Sequence, residues 1–182
     1  MPHIAPVTGK QDVPAEYHHV VDQVLEVFGS VRGPFSVLLH SPALAERVLQ
    51  LVKFYRDGSV TEPTLRSLAI LATVREREAR YVWSAQVGAA RRAGLAEDRI
   101  DLLRAKGDPA ALPEAERDII VFARQLARTN RVDPALVDRL RQRHGVQWLV
   151  ELTAAANYFG FLAGMVNAFD VAVPADGDQL PA

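Results

Sequence analysis

The sequence contains no cysteine. This absence excludes disulfide bonds, thiolate-bound metals, iron–sulfur clusters and any thiol nucleophile. It is typical of proteins in a reducing cytoplasm, which is the location we predict for this chain. At 182 residues the chain is long enough to bury one continuous core without disulfides or metals.

An excess of charge of either sign is also missing. The formal net charge is -1, and no aromatic residues are interleaved with a basic patch, so nucleic acid is not an expected partner. The histidines show no metal-ligand spacing, and we therefore expect neither a metal nor another cofactor. They are His3, His18, His19, His40 and His144.

Neither strands nor a targeting segment are indicated by the sequence. Alternation of apolar and polar residues is absent apart from AFDVAVP near the C-terminus. The first residues, MPHIAPVTGKQDVP, lack the features of a signal peptide and read as an extended arm. Residues 152–169 carry no charge over nearly the length of a membrane span, but they include Thr153, Asn157 and Asn167. That composition favours a buried helix in a bundle or subunit interface, and we expect no membrane partner.

What the sequence does contain is a succession of helical patterns separated by Gly and Pro. We therefore predict an all-α bundle that forms a single domain over residues 15–174, after an extended arm (1–14) and before a flexible tail (175–182). The segment PFSVLLH is predicted to be a short turn or helix. The predicted helices cover 15–28, Ser41 to about Tyr55, a Thr61-capped helix containing Pro63, 79–93, 97–106, 114–128, a helix from Asp133-Pro134 to about 144, and 146–168.

Thr64–Gly94 is predicted to be a central helical hairpin linked by the charged residues 75–78. Val82, Trp83 and Gln86 share one helix face, and Gln86 lies in the middle of its apolar stripe. A buried amide without a partner costs about 1–3 kcal/mol, so backbone, a side chain, water or a ligand must face it. A core glutamine satisfied by the protein itself is the structural alternative to a ligand contact.

The hairpin carries a family resemblance. Its second half, YVWSAQVGAARRAGL, resembles the hallmark segment of the carboxymuconolactone decarboxylase family, which is approximately YEWxxHxxxAxxAGL. GPFSVLLHSPALAERVL, LRSLAILATVRE and the downstream segments extend the likeness over residues 32–174. The resemblance implies an alkylhydroperoxidase D-like helical bundle. It also implies a homo-oligomer (dimer, trimer or hexamer) with a pocket between helices at subunit contacts.

The chain departs from the family at its functional positions. The motif Glu and His of decarboxylase-like members align with Val82 and Gln86, and the Glu of the family's LREL segment aligns with Ser67. Peroxidase members carry a CxxC pair at Ala79 and Val82, so peroxidase activity is excluded here for lack of a thiolate. Decarboxylase activity is doubtful for a similar reason, because Val82 and Gln86 cannot act as the general acid and base. General acid–base catalysis contributes about 10²–10⁴-fold to the rate of such reactions.

The matching positions leave two sets of candidate site residues. The catalytic candidates are His40, Gln86 and Ser67. The substrate-binding candidates are Tyr81, Val82, Trp83, Asn157 and Tyr158. Each has a structural alternative in core or interface packing, and Gln86 and Asn157 are either mutual partners or the polar wall of a pocket.

Three functions compete at this point. The first is a cofactor-independent lyase, isomerase or cyclase that acts on a small metabolite by shape and hydrogen bonding in a hydrophobic inter-helix pocket. The second is a non-catalytic oligomeric binding or scaffold protein that has lost the family's chemistry. The third is decarboxylase activity retained through substituted residues.

Overall fold

The computed structural model describes residues 2–175 and 177–181, and these residues form helices and connecting turns without any strand. The predicted all-α class is thereby confirmed. Short 3-10 helices lie at Lys10–Asp12, Ala15–Tyr17 and Pro109–Ala111. The α-helices are α1 His18–Phe28, α2 Pro34–Leu38, α3 Pro42–Asp57, α4 Pro63–Glu76, α5 Arg80–Arg92, α6 Glu97–Arg104, α7 Glu114–Thr129, α8 Pro134–His144 and α9 Val146–Ala168.

The chain forms two compact units. Unit 1 contains the described residues up to Ser59 together with Met165–Ala172, and unit 2 contains Val60–Gly164 with the described residues from Val173 onward. Helix α9 thus belongs to unit 2 except for its last turn. The predicted domain boundaries near residues 14 and 174 remain predictions.

Unit 1 is built by α1 and α2, which pack on α3. Val20, Val21 and Val24 lie on the inner face of α1 and are fully buried, as their helical spacing predicts. The N-terminal arm also contributes to this core, because Val7 is 1% exposed and its amide donates to the carbonyl of Ser36 over 2.8 Å. The arm is therefore part of unit 1.

Unit 2 is organised around α4, which packs on α5, α6 and α7. Residues Leu68–Arg75 of α4 are all buried, as expected for a helix that is apolar on every side. Helix α5 returns against α4 with Val82, Trp83, Val87 and Ala90 buried, and the central hairpin is confirmed.

The helices begin near the predicted residues, but not every predicted capping hydrogen bond forms. Asp133 caps α8 by accepting a hydrogen bond from the Ala135 amide, as predicted. The predicted Thr61 cap is wrong: the residue before α4 is Glu62, and the Thr61 hydroxyl instead accepts a hydrogen bond from Arg66. Pro63 at the first helical position supplies a start that needs no side-chain cap.

The C-terminal residues, for which the sequence predicts a flexible tail, make specific contacts within unit 2. Asp178 accepts hydrogen bonds from Arg91 on α5 and from Arg104 on α6. Leu180 is 7% exposed. The tail is thereby attached by both charge and apolar burial.

Gly177 lets this tail approach α5 closely. A Cβ atom there would lie 2.0 Å from Ser84 Oγ and 3.2 Å from Ser84 Cβ. We expect Gly177→Ala to lower the free energy of unfolding by about 1–3 kcal/mol through this overlap, measured by urea denaturation. Adding Ser84→Ala removes the closer contact and should restore part of the loss. A double variant no more stable than the single one would contradict this explanation.

Helix α9 is the one described helix that is long and apolar enough, by length and composition alone, to cross a membrane. Of its most apolar window, 44% is buried in the protein. Core helices of soluble proteins commonly satisfy the same criterion, so this observation by itself is weak evidence for a membrane span.

Candidate functional site

Trp83 on α5 is fully buried, and its Nε1 has no hydrogen-bond partner among the described residues. The guanidinium carbon of Arg104 lies 5.9 Å from the ring centroid, within range of a cation–π contact. An unpaired buried N–H costs about 1–3 kcal/mol, so this indole has hydrogen-bonding capacity that the protein does not use.

Gln86 follows Trp83 by three residues and therefore lies on the same face of α5, with Cβ atoms about 5–6 Å apart. Its side chain is half-buried rather than enclosed in the core. It makes no hydrogen bond to any residue between 2 and 175 or between 177 and 181. The α5 face thus presents two polar groups that are not satisfied by the described protein.

Tyr81 and Val82 immediately precede Trp83 on α5. Both are buried, with 8% and 3% of their surface exposed. They belong to the core of unit 2. Val82 stands where the resemblance places a Glu or a Cys, and its side chain offers no polar group.

Ser67 and His40 both bond to backbone carbonyls. The Ser67 hydroxyl donates to the Pro63 carbonyl one turn earlier in α4, over 2.8 Å. His40 Nε2 lies 2.8 Å from the carbonyl oxygen of Ala5. A carbonyl can only accept, so His40 Nε2 carries the proton of this bond. Ser67 lies in unit 2 and His40 in unit 1.

Asn157 and Tyr158 are neighbours on α9 with different surroundings. Asn157 is exposed, and its Nδ2 donates to the Thr153 carbonyl over 3.0 Å. Tyr158 is buried and meets the ring of Phe159 edge-on at a centroid distance of 5.2 Å. Asn157 therefore bonds to its own helix, and no hydrogen bond joins it to Gln86 in the described part of the chain.

A cleft of about 210 Å³ lies between the C-terminal halves of α4 and α7 and the middle of α9, and we call it the α4–α7–α9 cleft. Asn157 is the one sequence-predicted site residue in its wall. The remaining wall combines one charged residue, one hydroxyl and several apolar groups. The lining residues are Thr73, Arg77, Leu126, Ala127, Ala156, Asn157, Gly160 and Phe161.

Thr73 is the residue of this cleft that sequence reasoning missed. Its side chain is buried, and Oγ1 has no hydrogen-bond partner among the described residues. A signal was present in the sequence, because Thr73 is the single polar residue in the apolar run LAILATV of a helix buried on every side. A buried hydroxyl needs a hydrogen-bond partner, just as the sequence predicts for a buried amide at Gln86.

A buried ion-pair cluster joins the last turn of α4 to α7. The Glu76 side chain is 7% exposed and accepts two hydrogen bonds of 2.8 Å from Arg128. Arg124 Nε lies 3.6 Å from the same carboxylate, with a side chain that is 11% exposed. Burial lowers the pKa of Arg124, and the Glu76 charge opposes that shift. The predicted charged connection at 75–78 is therefore partly helical and buried.

His144 ends α8 and stacks on Trp148 of α9 at a centroid distance of 3.9 Å. Its Nε2 is buried without a hydrogen-bond partner in the described residues. Burial lowers the pKa of His144, a shift that Arg143 reinforces and Glu62 opposes. The folded protein therefore favours the neutral ring.

This shift predicts a loss of stability in acid. Above about pH 6.5, the ordinary histidine pKa, the ring is neutral in both states and contributes no pH dependence. As the pH falls below that value, the unfolded chain binds the proton first, so the free energy of unfolding decreases until the lowered folded-state pKa is passed. His144→Phe keeps the stack on Trp148 and should flatten this part of the profile, measured by urea midpoints between about pH 8 and pH 5. Parallel losses in the two proteins would contradict the assignment.

Metal-binding potential is low in the part of the chain that the structure describes. No group of three or more His, Asp or Glu residues there is placed to hold a metal ion. The polar groups of the α5 face and of the cleft are amide, indole, hydroxyl and guanidinium groups. These are groups that recognise oxygen atoms of organic molecules.

The fold is shared with a known enzyme. The protein is similar to the debrominase Bmp8, crystallised as a cysteine-to-alanine variant with 2,3,4-tribromopyrrole: the TM-score is 0.76, with 19% identity over 96% of this chain and 95% of that chain. Bmp8 has an alkylhydroperoxidase D-like helical fold, and the predicted fold is confirmed. No family model matches the sequence, and no curated protein is significantly similar to it. At this identity the likeness establishes the fold alone.

Proposed function

We propose that this protein is a divergent, cofactor-independent relative of the carboxymuconolactone decarboxylases that converts a small metabolite as a lyase, isomerase or cyclase. The observation that supports the proposal is the pair of unsatisfied polar groups, Trp83 Nε1 and the Gln86 amide, on one face of the central hairpin. Buried polar groups in native proteins normally have partners, so the buried Trp83 Nε1 marks a place where a ligand can supply one, and the half-buried Gln86 amide on the same helix face is open to a ligand or to water.

The chemistry open to this pair is limited by the groups themselves. Trp83 Nε1 only donates, whereas the Gln86 amide both donates and accepts, so together they suit a carbonyl or carboxylate oxygen. Neither group transfers a proton near neutral pH. Catalysis would therefore depend on orientation and on hydrogen bonds to developing charge, in a site walled by the core around Val82.

The similarity to Bmp8 supports small-molecule binding by this protein but not thiol chemistry. Its structure holds a small halogenated aromatic compound in a protein of the same fold, which supports a small-molecule ligand here. The present chain has no cysteine, so no thiol can take the place of the residue replaced in that variant. We therefore propose no thiol-dependent dehalogenation.

The test is conversion of a defined panel by the purified protein, followed by mass spectrometry. The panel contains carboxymuconolactone, small carbonyl and carboxylic compounds, and 2,3,4-tribromopyrrole. Gln86→Ala and Trp83→Phe should each lower turnover by about 10²-fold, the cost of losing one positioned donor. Gln142→Ala on the exposed face of α8 is the matched control and should leave turnover unchanged. If both α5 variants fold normally and work at full rate, the residue assignment fails.

A non-catalytic binding protein is the second candidate, and the bonds of Ser67 and His40 favour it. Both side chains already donate to backbone carbonyls, so neither is poised as a proton donor to a substrate. This function predicts saturable binding of a panel compound without its consumption. Release of carbon dioxide from carboxymuconolactone would instead support the third candidate, retained decarboxylation.

We also propose that the protein forms a homo-oligomer through α9. Val146, Val150 and Phe161 are exposed by 63%, 60% and 41% on a helix with a single charged residue. Apolar groups exposed along one helix favour association with a second copy. Light scattering after size exclusion measures the mass directly, and a monomer at micromolar concentration would contradict this part of the proposal.

A further inference from the structure

We infer that the C-terminal residues 177–181, which we call the strap, control access to the Trp83 indole on the α5 face. The strap, α5 and α6 all belong to unit 2. The presence of a ligand at this face rests on the proposed function, whereas the accessibility of Trp83 is measurable without any ligand.

The Trp83 indole is enclosed in the folded protein. The residue is fully buried, and its Nε1 has no hydrogen-bond partner among the described residues. A ligand therefore bonds to Nε1 only after a covering group has moved. The Gln86 side chain on the same helix is half-buried and already meets solvent, so Trp83 is the member of the pair whose access requires a movement.

The Arg104 side chain is one of the groups that cover Trp83. Its guanidinium carbon lies 5.9 Å from the ring centroid, and 26% of the side chain is exposed. The backbone of Arg104 is held in place, because its carbonyl accepts a hydrogen bond of 2.8 Å from Arg75 Nε. Uncovering the ring on this side therefore requires movement of the Arg104 side chain and not of helix α6.

Asp178 of the strap holds the Arg104 side chain and bonds to α5 as well. Its carboxylate accepts a hydrogen bond of 3.4 Å from Arg104 and two hydrogen bonds, of 2.7 and 3.1 Å, from Arg91. These bonds link the strap to both α5 and α6. Asp178 is a positioning residue in this arrangement, since it acts on Trp83 through Arg104.

The strap is attached weakly enough to open while the rest of unit 2 stays folded. It contains no helix or strand, and its Gln179 amide bonds to the carbonyls of Pro174 and Gly177, which are close to it in sequence. Its ion pairs to the helices, made by Asp178, are partly exposed, and Leu180 is its buried apolar side chain. Exposed ion pairs are weak, and segments with few buried apolar contacts open locally in native proteins.

Opening of the strap leaves no charge without a partner. Arg91 also donates two hydrogen bonds, of 2.7 and 2.9 Å, to Glu97, and Arg104 also bonds to Asp101. The Asp178 carboxylate itself becomes hydrated. The cost of opening is therefore small compared with the cost of leaving a buried charge uncompensated.

Exchange of the indole N–H groups with solvent deuterium measures access to Trp83 in the full chain, followed by NMR on protein that carries isotope-labelled tryptophan. The sequence contains two tryptophans, so Trp148 serves as an internal control. Asp178→Asn keeps the side-chain size and removes the charge, and it should accelerate exchange at Trp83 by about two- to fivefold. Exchange at Trp148, whose Nε1 donates to Glu62, should stay unchanged.

A matched control and two further changes separate strap opening from a general loss of stability. Asp138 pairs with Arg141 of the same helix at 3.0 Å, and Asp138→Asn should change exchange at neither indole. Leu180→Ala removes the buried apolar side chain of the strap and should accelerate exchange at Trp83. Raising the ionic strength from about 0.05 M to about 0.5 M screens the Asp178 ion pairs, so it should accelerate Trp83 exchange in the parent protein and much less in Asp178→Asn.

Ligand binding supplies the second test. A ligand that bonds to Trp83 Nε1 binds the open form, so its apparent affinity is proportional to the open fraction. For any panel compound that the protein binds or converts, Asp178→Asn should lower Kd or KM by the same factor by which it accelerates exchange at Trp83.

Unchanged Trp83 exchange in Asp178→Asn, or equal acceleration at both tryptophans, overturns the role given to the strap. Faster exchange at Trp83 without a matching change in Kd or KM for a bound compound equally overturns its control of ligand access. If no panel compound binds and Trp83 exchange still responds to Asp178→Asn, the proposed function fails and the strap assignment stands, so the two proposals fail separately.

Discussion

Replacement of Glu76 by alanine is expected to lower the free energy of unfolding by about 3–5 kcal/mol. The Glu76 carboxylate is 7% exposed and holds Arg128 through two hydrogen bonds, with Arg124 3.6 Å away. Arg128 can turn toward solvent, but the buried Arg124 would keep its charge without a compensating carboxylate. That uncompensated buried charge is the physical reason for the large effect.

Urea denaturation of Glu76→Ala measures this loss, with Glu114→Ala as the matched control. Glu114 also pairs with an arginine, Arg143 at 2.9 Å, but its side chain is 53% exposed, so the control should lose no more than about 1 kcal/mol. The double variant Glu76→Ala with Arg124→Leu removes the stranded charge and should recover part of the stability. Equal losses in Glu76→Ala and Glu114→Ala would contradict the role given to burial.

Trp83→Ala is expected to cost about 3–5 kcal/mol, since it leaves a large cavity at a fully buried position of unit 2. Trp83→Phe should cost less, because it keeps an aromatic ring and removes an indole N–H that has no partner in the described protein. This substitution separates stability from function: it should be mild in unfolding experiments and severe in turnover.

Trp148→Phe is the control for that argument. Trp148 is similarly buried, but its Nε1 donates to Glu62 Oε2 over 2.6 Å. The same substitution therefore breaks a charge-assisted hydrogen bond at position 148 and none at position 83, and should cost more at 148 by about 1–2 kcal/mol. A larger loss for Trp83→Phe would show that the Trp83 indole N–H is satisfied in solution, for example by water.

The helices could be predicted from the sequence because the residues that start and end a helix lie within or next to it. Gly29, Gly94 and Gly145 adopt positive φ at helix ends, and Pro at the first position starts α3, α4 and α8. Helix α9 runs over the predicted residues 146–168. Cap bonds were less predictable: Ser41 occupies the cap position of α3 without a side-chain cap bond.

The candidate site could be predicted from the sequence only in part. Periodicity placed Trp83 and Gln86 on one face of α5, and this required nothing beyond helix geometry. The depth at which that face is buried depends on neighbouring segments, so Gln86 is half-buried where an enclosed amide was expected. Thr73, Arg77 and Asn157 line one cleft only because α4 and α9, which are far apart in sequence, both contribute to its wall.

By itself, the sequence determined the helical class, the central hairpin and the exclusion of thiol chemistry, since these depend on residue types and on spacing within one helix. Tertiary structure alone decided which polar groups are satisfied. The charged segment at 75–78 illustrates the difference: Arg75 and Glu76 are buried because partners on α6 and α7, Arg104, Arg124 and Arg128, reach them. Burial and hydrogen-bond satisfaction are properties of the surroundings of a residue, and those surroundings form only when distant segments pack.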